Sequence, residues 1–171
     1  MWDELHLLPD GTGIRVRAMN AGDQSALLAA HRALSEESQR LRFLAPKPTL
    51  SRAEARYLTD VDGVDHVALA AFLDDEPRVI TGVARFVRLP EDPHAAEMAI
   101  VVGDRFQRRG LGTLLARELA AEARAHGITR FKATVLAENE AVTKLIAVIA
   151  ERLDQVPAGP GVRELSAELA A

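Results

Sequence analysis

The sequence predicts a single α+β domain, residues 1–171, in which strands and helices share one core. Runs of apolar residues of strand length follow one another between residues 64 and 102, with only turn signals between them. Helical periodicity flanks this region on both sides, and one more strand-like run separates the last two helical segments. A chain of 171 residues is long enough to build one such core.

In the first part of the chain, helix starts are the clearest signals. Ser51 and Glu54 stand three residues apart before a helical segment, which is the spacing of a capping box. The predicted elements are a loose lead-in over 1–13, a half-exposed strand over 12–19, a helix capped by Asn20 or Asp23, a short helix over 35–43 and a third helix over 51–59.

The second part of the chain combines three successive strands with two further helices. Gly127 follows the first of these helices, as expected of a residue just beyond a helix end. The predicted elements are strands over 64–73 and 78–89 joined by a turn at 74–77, a loop over 90–94, a strand from Ala95, a helix over 111–126, a strand over 128–136, a helix over 138–152 and a hairpin that ends in a strand over 162–169.

The composition argues against several classes of function. Acidic residues outnumber basic residues by 25 to 21, which disfavours a nucleic-acid partner. There is no cysteine, so disulfides, thiolate metal sites and cysteine nucleophiles are excluded. The five histidines form no H-x-x-x-H or H-E-x-x-H pattern, so no metal site is expected. No run approaches the ~18 apolar residues of a membrane span and no signal peptide is evident, so we expect a cytoplasmic protein without a membrane partner.

The stretch from Glu97 to Thr113 organises the chain. An apolar β-branched run ends at Gly103, a short arginine-rich turn follows, and Gly110 and Gly112 open a helix. A helix start exposes unpaired N–H groups and the positive end of the helix dipole, and glycines let a phosphate approach the backbone. This stretch therefore predicts a phosphate-binding loop, with Arg105 and Arg108 as further cations.

The spacing of the glycines decides between phosphate-binding motifs. A Walker P-loop counted from Gly103 would need glycine at Arg108, and a dinucleotide fingerprint would need it at Leu115, so both fail. Residues 107–112 match the pattern Q/R-x-x-G-x-G/A. With the strand before this loop and the helix and strand after it, the sequence resembles the GNAT superfamily of acyl-CoA-dependent N-acyltransferases. The resemblance covers nearly the whole chain and is strongest over 79–145.

The resemblance implies a fold and a co-substrate. It implies a mixed, largely antiparallel sheet with helices on both faces, and acetyl-CoA as the acyl donor. Loop 107–113 would hold the pyrophosphate of acetyl-CoA, and the backbone of 100–102 would hold the pantetheine arm and polarise the thioester carbonyl. The implied cofactor-binding residues are Ile100, Val101, Val102, Gln107, Arg108, Arg109, Gly110, Leu111, Gly112, Thr113 and Asn139.

Glu97 is the candidate general base, because related protein acetyltransferases carry glutamate at the matching position. The alternative is a solvated strand-end residue paired with Arg85 or His94. His66 and His94 are less favoured bases, and His31 reads as a satisfied core or cleft residue. Ile146 stands where the family commonly has a tyrosine that protonates the leaving thiolate, so that proton donor is absent.

The acceptor is less well defined than the donor. Residues 34–43 and 82–88 resemble bacterial protein-lysine acetyltransferases, which modify acyl-CoA synthetases, so a protein lysine is the leading acceptor. A small-molecule amine, a non-catalytic acyl-CoA-binding module and, remotely, a nucleotide enzyme are the alternatives, and a homodimer is left open. Arg40, Arg42 and Phe43 would line the acceptor site, where arginines suit a carboxylate-bearing acceptor.

Overall fold

One eight-stranded sheet forms the centre of the computed structural model, which describes residues 3–171. Residues 1 and 2 of the predicted lead-in lie outside the described residues. The strands are β1 Asp3–Leu7, β2 Gly13–Ala18, β3 His66–Leu73, β4 Ile80–Leu89, β5 Asp92–Val102, β6 Arg130–Leu136, β7 Ala150–Gly159 and β8 Val162–Leu169. The helices are α1 Gln24–Ala33, α2 Glu36–Phe43, α3 Arg52–Thr59, α4 Leu111–Ala125 and α5 Glu140–Ile149, and short 3₁₀ turns at Ala21–Asp23 and Asp104–Phe106 precede α1 and α4.

The sheet is mixed and largely antiparallel, as predicted. The strand order is β1-β2-β3-β4-β5-β6-β8-β7. Every neighbouring pair within residues 3–171 is antiparallel except β5 with β6. The parallel pair follows from the crossover through α4, which returns the chain to the edge where β5 began.

Helices cover both faces of the sheet, and alternate strand residues feed two cores. One core packs Phe86 and Met98 against α4 and α5, with Leu115 and Ile146 fully buried. The opposite core packs Phe72 and neighbouring residues against α1 and α3. Within the described part of the chain, no helix is long and apolar enough to cross a membrane.

The predicted helix starts are confirmed by their caps. Asn20, Ser35, Ser51 and Asn139 each accept a hydrogen bond from a backbone N–H at the start of the following turn or helix. The Ser51–Glu54 capping box is present. Ser35 therefore caps α2, and the N–H group that it caps is that of Ser38.

The three most informative differences from the predicted boundaries lie at β1, at the β4–β5 turn and at the end of α5. Residues 3–7 form an edge strand rather than a loose lead-in, and Leu7 stays 72% exposed, so no burial pattern marks this strand. The predicted loop over 90–94 is shorter, because β5 already begins at Asp92 and pairs with Leu89 across a tight turn. The last helix ends at Ile149 rather than near Arg152, since Ala150 pairs with Leu169 and sheet pairing outweighs the helical pattern.

Candidate active site

A split in the sheet creates the candidate site. β5 and β6 pair only over three residues, and the last pair joins Glu97 to Lys132. Beyond that point β5 stays paired with β4 as far as Val102, while β6 stays paired with β8 as far as Leu136. Each strand follows its outer neighbour, and the two diverge. The result is an open wedge whose apex lies at Glu97.

The β5 backbone faces this wedge with free hydrogen-bonding groups. The Gly103 N–H donates to the Thr81 oxygen at 2.8 Å, which fixes the register of the antiparallel β4–β5 ladder at that end. Because bonding directions alternate along an antiparallel strand, Ile100 and Val102 direct their N–H and C=O groups away from β4 and into the wedge. The Val102 oxygen accepts from Gln107 Nε2 at 3.0 Å. The Ile100 groups have no strand partner on that side.

The wedge opens into a cleft of about 740 Å³. Ten of the twelve residues predicted for catalysis or cofactor binding line it. Those residues are Glu97, Ile100, Val101, Val102, Gln107, Arg108, Gly110, Gly112, Thr113 and Asn139.

The start of α4 forms one wall of the cleft without a side-chain cap. Gly110 precedes the helix at φ 90°, in the left-handed region, and no side chain accepts from the first N–H groups. Arg108 also has positive φ, 58°, which is uncommon for a residue with a side chain. Consecutive N–H groups in such a turn converge on a concave, anion-attracting surface. The loop therefore has the backbone geometry that is typical of anion-binding turns.

Arg109 and Leu111 do not line the cleft, so only their backbone N–H groups remain candidates for phosphate contact. Leu111 is fully buried in the core. The Arg109 guanidinium turns away and donates to Asp10 Oδ2 at 2.7 Å and to Thr12 Oγ1 at 2.5 Å. Its hydrogen bond to Asp10, with the help of Thr12, lowers the pKa of Asp10 to about 2. Arg109 thus ties the loop to the β1–β2 turn.

Asp104 fastens the other side of the loop, a role that the sequence did not reveal. Its carboxylate accepts from the Ser35 N–H at 3.0 Å and from the hydroxyls of Ser35 and Ser38 at 2.7 and 3.1 Å. Burial opposes its ionisation, yet these hydrogen bonds outweigh burial and lower the pKa of Asp104. Because 69 residues separate Asp104 from Ser35, no local pattern signals the contact.

Glu97 is exposed at the apex and lines the cleft together with Arg42. The alternative reading paired Glu97 with Arg85 or His94, and those two residues have other partners. Arg85 donates to the Leu58 oxygen, and His94 Nδ1 lies 3.1 Å from the Gly127 oxygen. Neither His66 nor His94 lines the cleft. The Glu97 carboxylate therefore lies at the point where the strands part and is paired with neither Arg85 nor His94.

The last helix and its cap contribute one polar residue and several apolar residues to the cleft. The Asn139 side chain accepts from the Val142 N–H at 3.3 Å and caps α5. Ile146 also lines the cleft and is 1% exposed. The position that would hold a tyrosine proton donor is thus an apolar part of the wall.

Of two further residues singled out in the sequence, His31 is placed as expected and Arg40 is not. His31 is buried, with Nε2 at 2.6 Å from the Lys47 oxygen, and is the satisfied residue that its position predicted. Arg40 is held by the carboxylates of Glu37 and Glu138 and does not line the cleft. Arg42 and Phe43 do line the cleft, and Arg42 is taken up again below.

One group of side chains away from the cleft has the composition of a metal site, which the sequence had not led us to expect. Candidate ligand atoms of Glu4, His6 and Glu118 lie within 4.8 Å of one another. None of the three residues lines the cleft, so the group has no part in the site described here.

Comparison with known proteins places this geometry in a family. Residues 30–147 match the model of the acetyltransferase (GNAT) family. Over 137 residues the chain is 36% identical to Acetyltransferase Pat of Mycolicibacterium smegmatis, a match that covers 80% of this chain and 40% of that protein. The chain therefore spans less than half the length of that relative.

Two solved structures resemble the fold. The GNAT domain of S. lividans PAT superposes with a TM-score of 0.86 at 32% identity, covering 98% of this chain and 97% of that one. A cAMP-binding acyltransferase from Mycobacterium smegmatis gives a TM-score of 0.69 at 26% identity, covering 99% of this chain and 48% of that one. The match over residues 30–147 shows that the chain belongs to the acetyltransferase (GNAT) family.

Proposed function

We propose that the protein transfers an acetyl group from acetyl-CoA to the side-chain amine of a protein lysine. The observation that carries the proposal is the split sheet, which brings a free strand edge, an uncapped helix start and a carboxylate into one cleft. The lysine acceptor is supported by the similarity to Acetyltransferase Pat and to the GNAT domain of PAT. An acyl-CoA synthetase is the acceptor protein to try first.

The cleft offers a place for each part of the donor. Backbone N–H groups of 109–113 and the Thr113 hydroxyl would hold the pyrophosphate, with the helix dipole favouring its charge. The Ile100 N–H would donate to the thioester carbonyl oxygen and stabilise the negative charge that develops there. Asn139 borders the same cleft from α5. Acetyl-CoA itself supplies the activated acyl group.

Glu97 would accept the proton of the incoming amine. A lysine amine has a pKa near ~10.4 and is mostly protonated at neutral pH, so a base must take its proton directly or through water. The amine nitrogen then bonds to the thioester carbonyl carbon, the C–S bond breaks, and coenzyme A leaves as a thiolate. The nitrogen releases its extra proton to solvent water, which leaves a neutral amide. A thiolate whose pKa is about 8.5 leaves without a strong acid, which is compatible with Ile146 in the position of the tyrosine.

The experiment measures thiol release from acetyl-CoA with wild type, Glu97→Gln and Glu91→Gln. Glu91 is an exposed glutamate in the β4–β5 turn and does not line the cleft, so it is the matched control. The acceptors are a lysine-containing acyl-CoA synthetase and a panel of small amines. Calorimetry on the same samples gives the acetyl-CoA affinity.

We expect Glu97→Gln to lower kcat by about 10²- to 10⁴-fold, the usual contribution of a general base, with acetyl-CoA affinity unchanged. Glu91→Gln should match the wild type in both measurements. Turnover of small amines but of no protein would replace the lysine acceptor by a small-molecule one. A Glu97→Gln enzyme as fast as the wild type would show that the base lies elsewhere.

A further inference from the structure

A second cavity adjoins the cleft on the sheet face covered by α1 and α3. Its volume is about 220 Å³. Arg42, Phe43, Ala99 and Val101 border both spaces, so the two meet on the β5 face that also carries Glu97. The wall is mostly apolar, and its one carboxylate, that of Asp104, is already hydrogen-bonded to Ser35 and Ser38. Four arginines line the cavity. Arg78 and Arg105 are exposed, which leaves two less exposed guanidinium groups.

The first guanidinium belongs to Arg85, which is only 6% exposed. One of its terminal nitrogens, Nη1, donates to the Leu58 oxygen at 2.9 Å and lies 3.2 Å from His66 Nε2. No carboxylate of residues 3–171 pairs with it. Burial, and then the positive charge of Arg42, lower the pKa of Arg85 to about 9, so the group is still cationic at neutral pH.

The second guanidinium belongs to Arg42, at the border between the cavity and the cleft. It lies over the Phe43 ring, 4.7 Å from the ring centre, and forms no ion pair within the described chain. Burial lowers the pKa of Arg42, and the charge of Glu97 acts in the opposite direction. Glu97 is thus a negative charge near Arg42. As the proposed base, Glu97 is needed to accept the proton of the amine.

Two like charges in a mostly apolar cavity are unfavourable without an anion between or beside them. Removing a charge from water costs several kcal/mol unless a partner and hydrogen bonds compensate. Several other arginines of the chain, among them Arg17, Arg88 and Arg109, have carboxylate partners. A guanidinium binds a carboxylate through two parallel N–H···O bonds, which makes a carboxylate the best-matched ligand for this cavity.

We propose that this cavity is an anion subsite that holds a carboxylate of the acceptor between Arg42 and Arg85 while the acceptor's amine lies at Glu97. The inference rests on the proposed function. Arg85 pairs with Ala99 across the β4–β5 ladder, and Ala99 is two residues from Glu97 on the same face. Diagonal neighbours of this kind stand about 7–8 Å apart, so amine and carboxylate belong to one small acceptor or to adjacent side chains.

The carboxylate has two chemical sources. It is either the acid group of a free amino acid or an acidic side chain next to the lysine of a protein. The cavity volume of about 220 Å³ is large enough for the carboxylate-bearing part of either source. In both cases the enzyme should acetylate the acceptor more slowly when the acceptor's carboxylate is replaced by a neutral amide of the same shape.

The test compares acceptors in matched acid and amide pairs. The free pair is lysine and lysinamide, and the peptide pair is acetyl-Glu-Lys-Gly-amide and acetyl-Gln-Lys-Gly-amide. The enzymes are wild type, Arg42→Gln, Arg42→Lys, Arg85→Gln and, as control, Arg32→Gln, an exposed arginine of α1 outside both linings. The readout is the kcat/KM ratio of acid to amide, which a general loss of folding or activity leaves unchanged.

We expect the wild type to prefer the acid in at least one pair by about tenfold or more, as for a buried charged hydrogen bond. Arg42→Gln should bring that ratio close to one while the amide is still acetylated. Arg42→Lys should keep part of the preference, and Arg32→Gln all of it. A preference within the free pair identifies an amino-acid acceptor, and a preference within the peptide pair identifies an acidic neighbour of the lysine.

Equal rates for acid and amide in both pairs would overturn the subsite while leaving the acetyl transfer intact. A preference that survives in Arg42→Gln and Arg85→Gln would also overturn it. A readout without turnover is the rise in melting temperature caused by glutarate. It should occur in the wild type and Arg32→Gln and be lost in Arg42→Gln, and its absence from the wild type counts against the subsite.

Discussion

The contact between Asp10 and Arg109 anchors the loop that precedes α4, and it makes the stability of the folded chain depend on pH. The Arg109 hydrogen bond, with those of Thr12, lowers the pKa of Asp10 from 3.8 to about 2. Since the folded-state pKa is the lower one, the contribution is complete above pH ~4 and disappears as the pH falls towards 2. The contact is exposed, so its contribution is small.

Replacing Asp10 by Asn should therefore flatten the pH dependence of stability. The measurement is urea unfolding of wild type and Asp10→Asn at several pH values between 2 and 6. The difference between the two proteins should shrink as the pH falls from 4 to 2. A difference that stays constant over this range would mean that the Asp10 carboxylate does not titrate with an altered pKa.

Ile146 is the residue at which this chain departs most clearly from the family pattern. It is 1% exposed and belongs to the core beneath α5. We expect Ile146→Tyr to destabilise the protein by about 1–3 kcal/mol, because the larger side chain overfills a packed core. Val148→Tyr, on the same helix at a site that is 47% exposed, should change stability by less than about 0.5 kcal/mol.

The two variants are compared by urea unfolding under the same conditions. Equal stability of Ile146→Tyr and wild type would show that the cleft has room for the ring. In that case the cleft wall is looser than the buried Ile146 indicates.

Helix caps are the elements that sequence reasoning located best. Ser51 and Asn139 both accept from a backbone N–H of their helix, and both caps follow from local spacing alone. They differ in place, because Asn139 lines the cleft and Ser51 does not. Substitution by alanine at either cap should cost about 1 kcal/mol of stability.

Only Asn139→Ala should also weaken acetyl-CoA binding. Calorimetry and urea unfolding on Ser51→Ala and Asn139→Ala separate the two effects. If Asn139→Ala binds acetyl-CoA as tightly as Ser51→Ala does, Asn139 is a cap and has no part in binding.

The edge strands are the elements that the sequence did not locate. The β1 side chains are almost all exposed, so its pairing with β2 rests on backbone hydrogen bonds and leaves no apolar alternation. Likewise α5 ends at Ile149 because Ala150 begins β7 and pairs with Leu169 of β8. Local periodicity indicates which face of a segment is buried. It does not indicate which strand elsewhere in the chain will pair with that segment.

In the molecule as a whole, the mixed, largely antiparallel sheet was predicted from family resemblance rather than from residue patterns. The apolar run of β5 gives no sign that its pairing with β6 ends at Glu97. Arg42 lies near Arg85, and Ser35 is hydrogen-bonded to Asp104. In each pair the two residues belong to separate elements, so no local pattern predicts the contact. The loop motif of 107–112 was readable because its glycines and helix start are contiguous.

The central claim is that the start of α4 binds the phosphates of acetyl-CoA, and two glycines of one helix test it most directly. Gly110 precedes α4 at φ 90°, and Gly127 follows its other end at φ 76°. A side chain strains the backbone at both positions, by about 1–2 kcal/mol. Gly110 borders the cleft and Gly127 does not.

The decisive measurement is a calorimetric titration of acetyl-CoA into wild type, Gly110→Ala and Gly127→Ala. We predict that the wild type and Gly127→Ala bind acetyl-CoA with the same affinity. Gly110→Ala should bind acetyl-CoA about tenfold or more weakly, because the backbone N–H groups at the start of α4 are displaced. Equal affinities for both variants, or no binding by the wild type, would contradict the assignment of this loop to the donor.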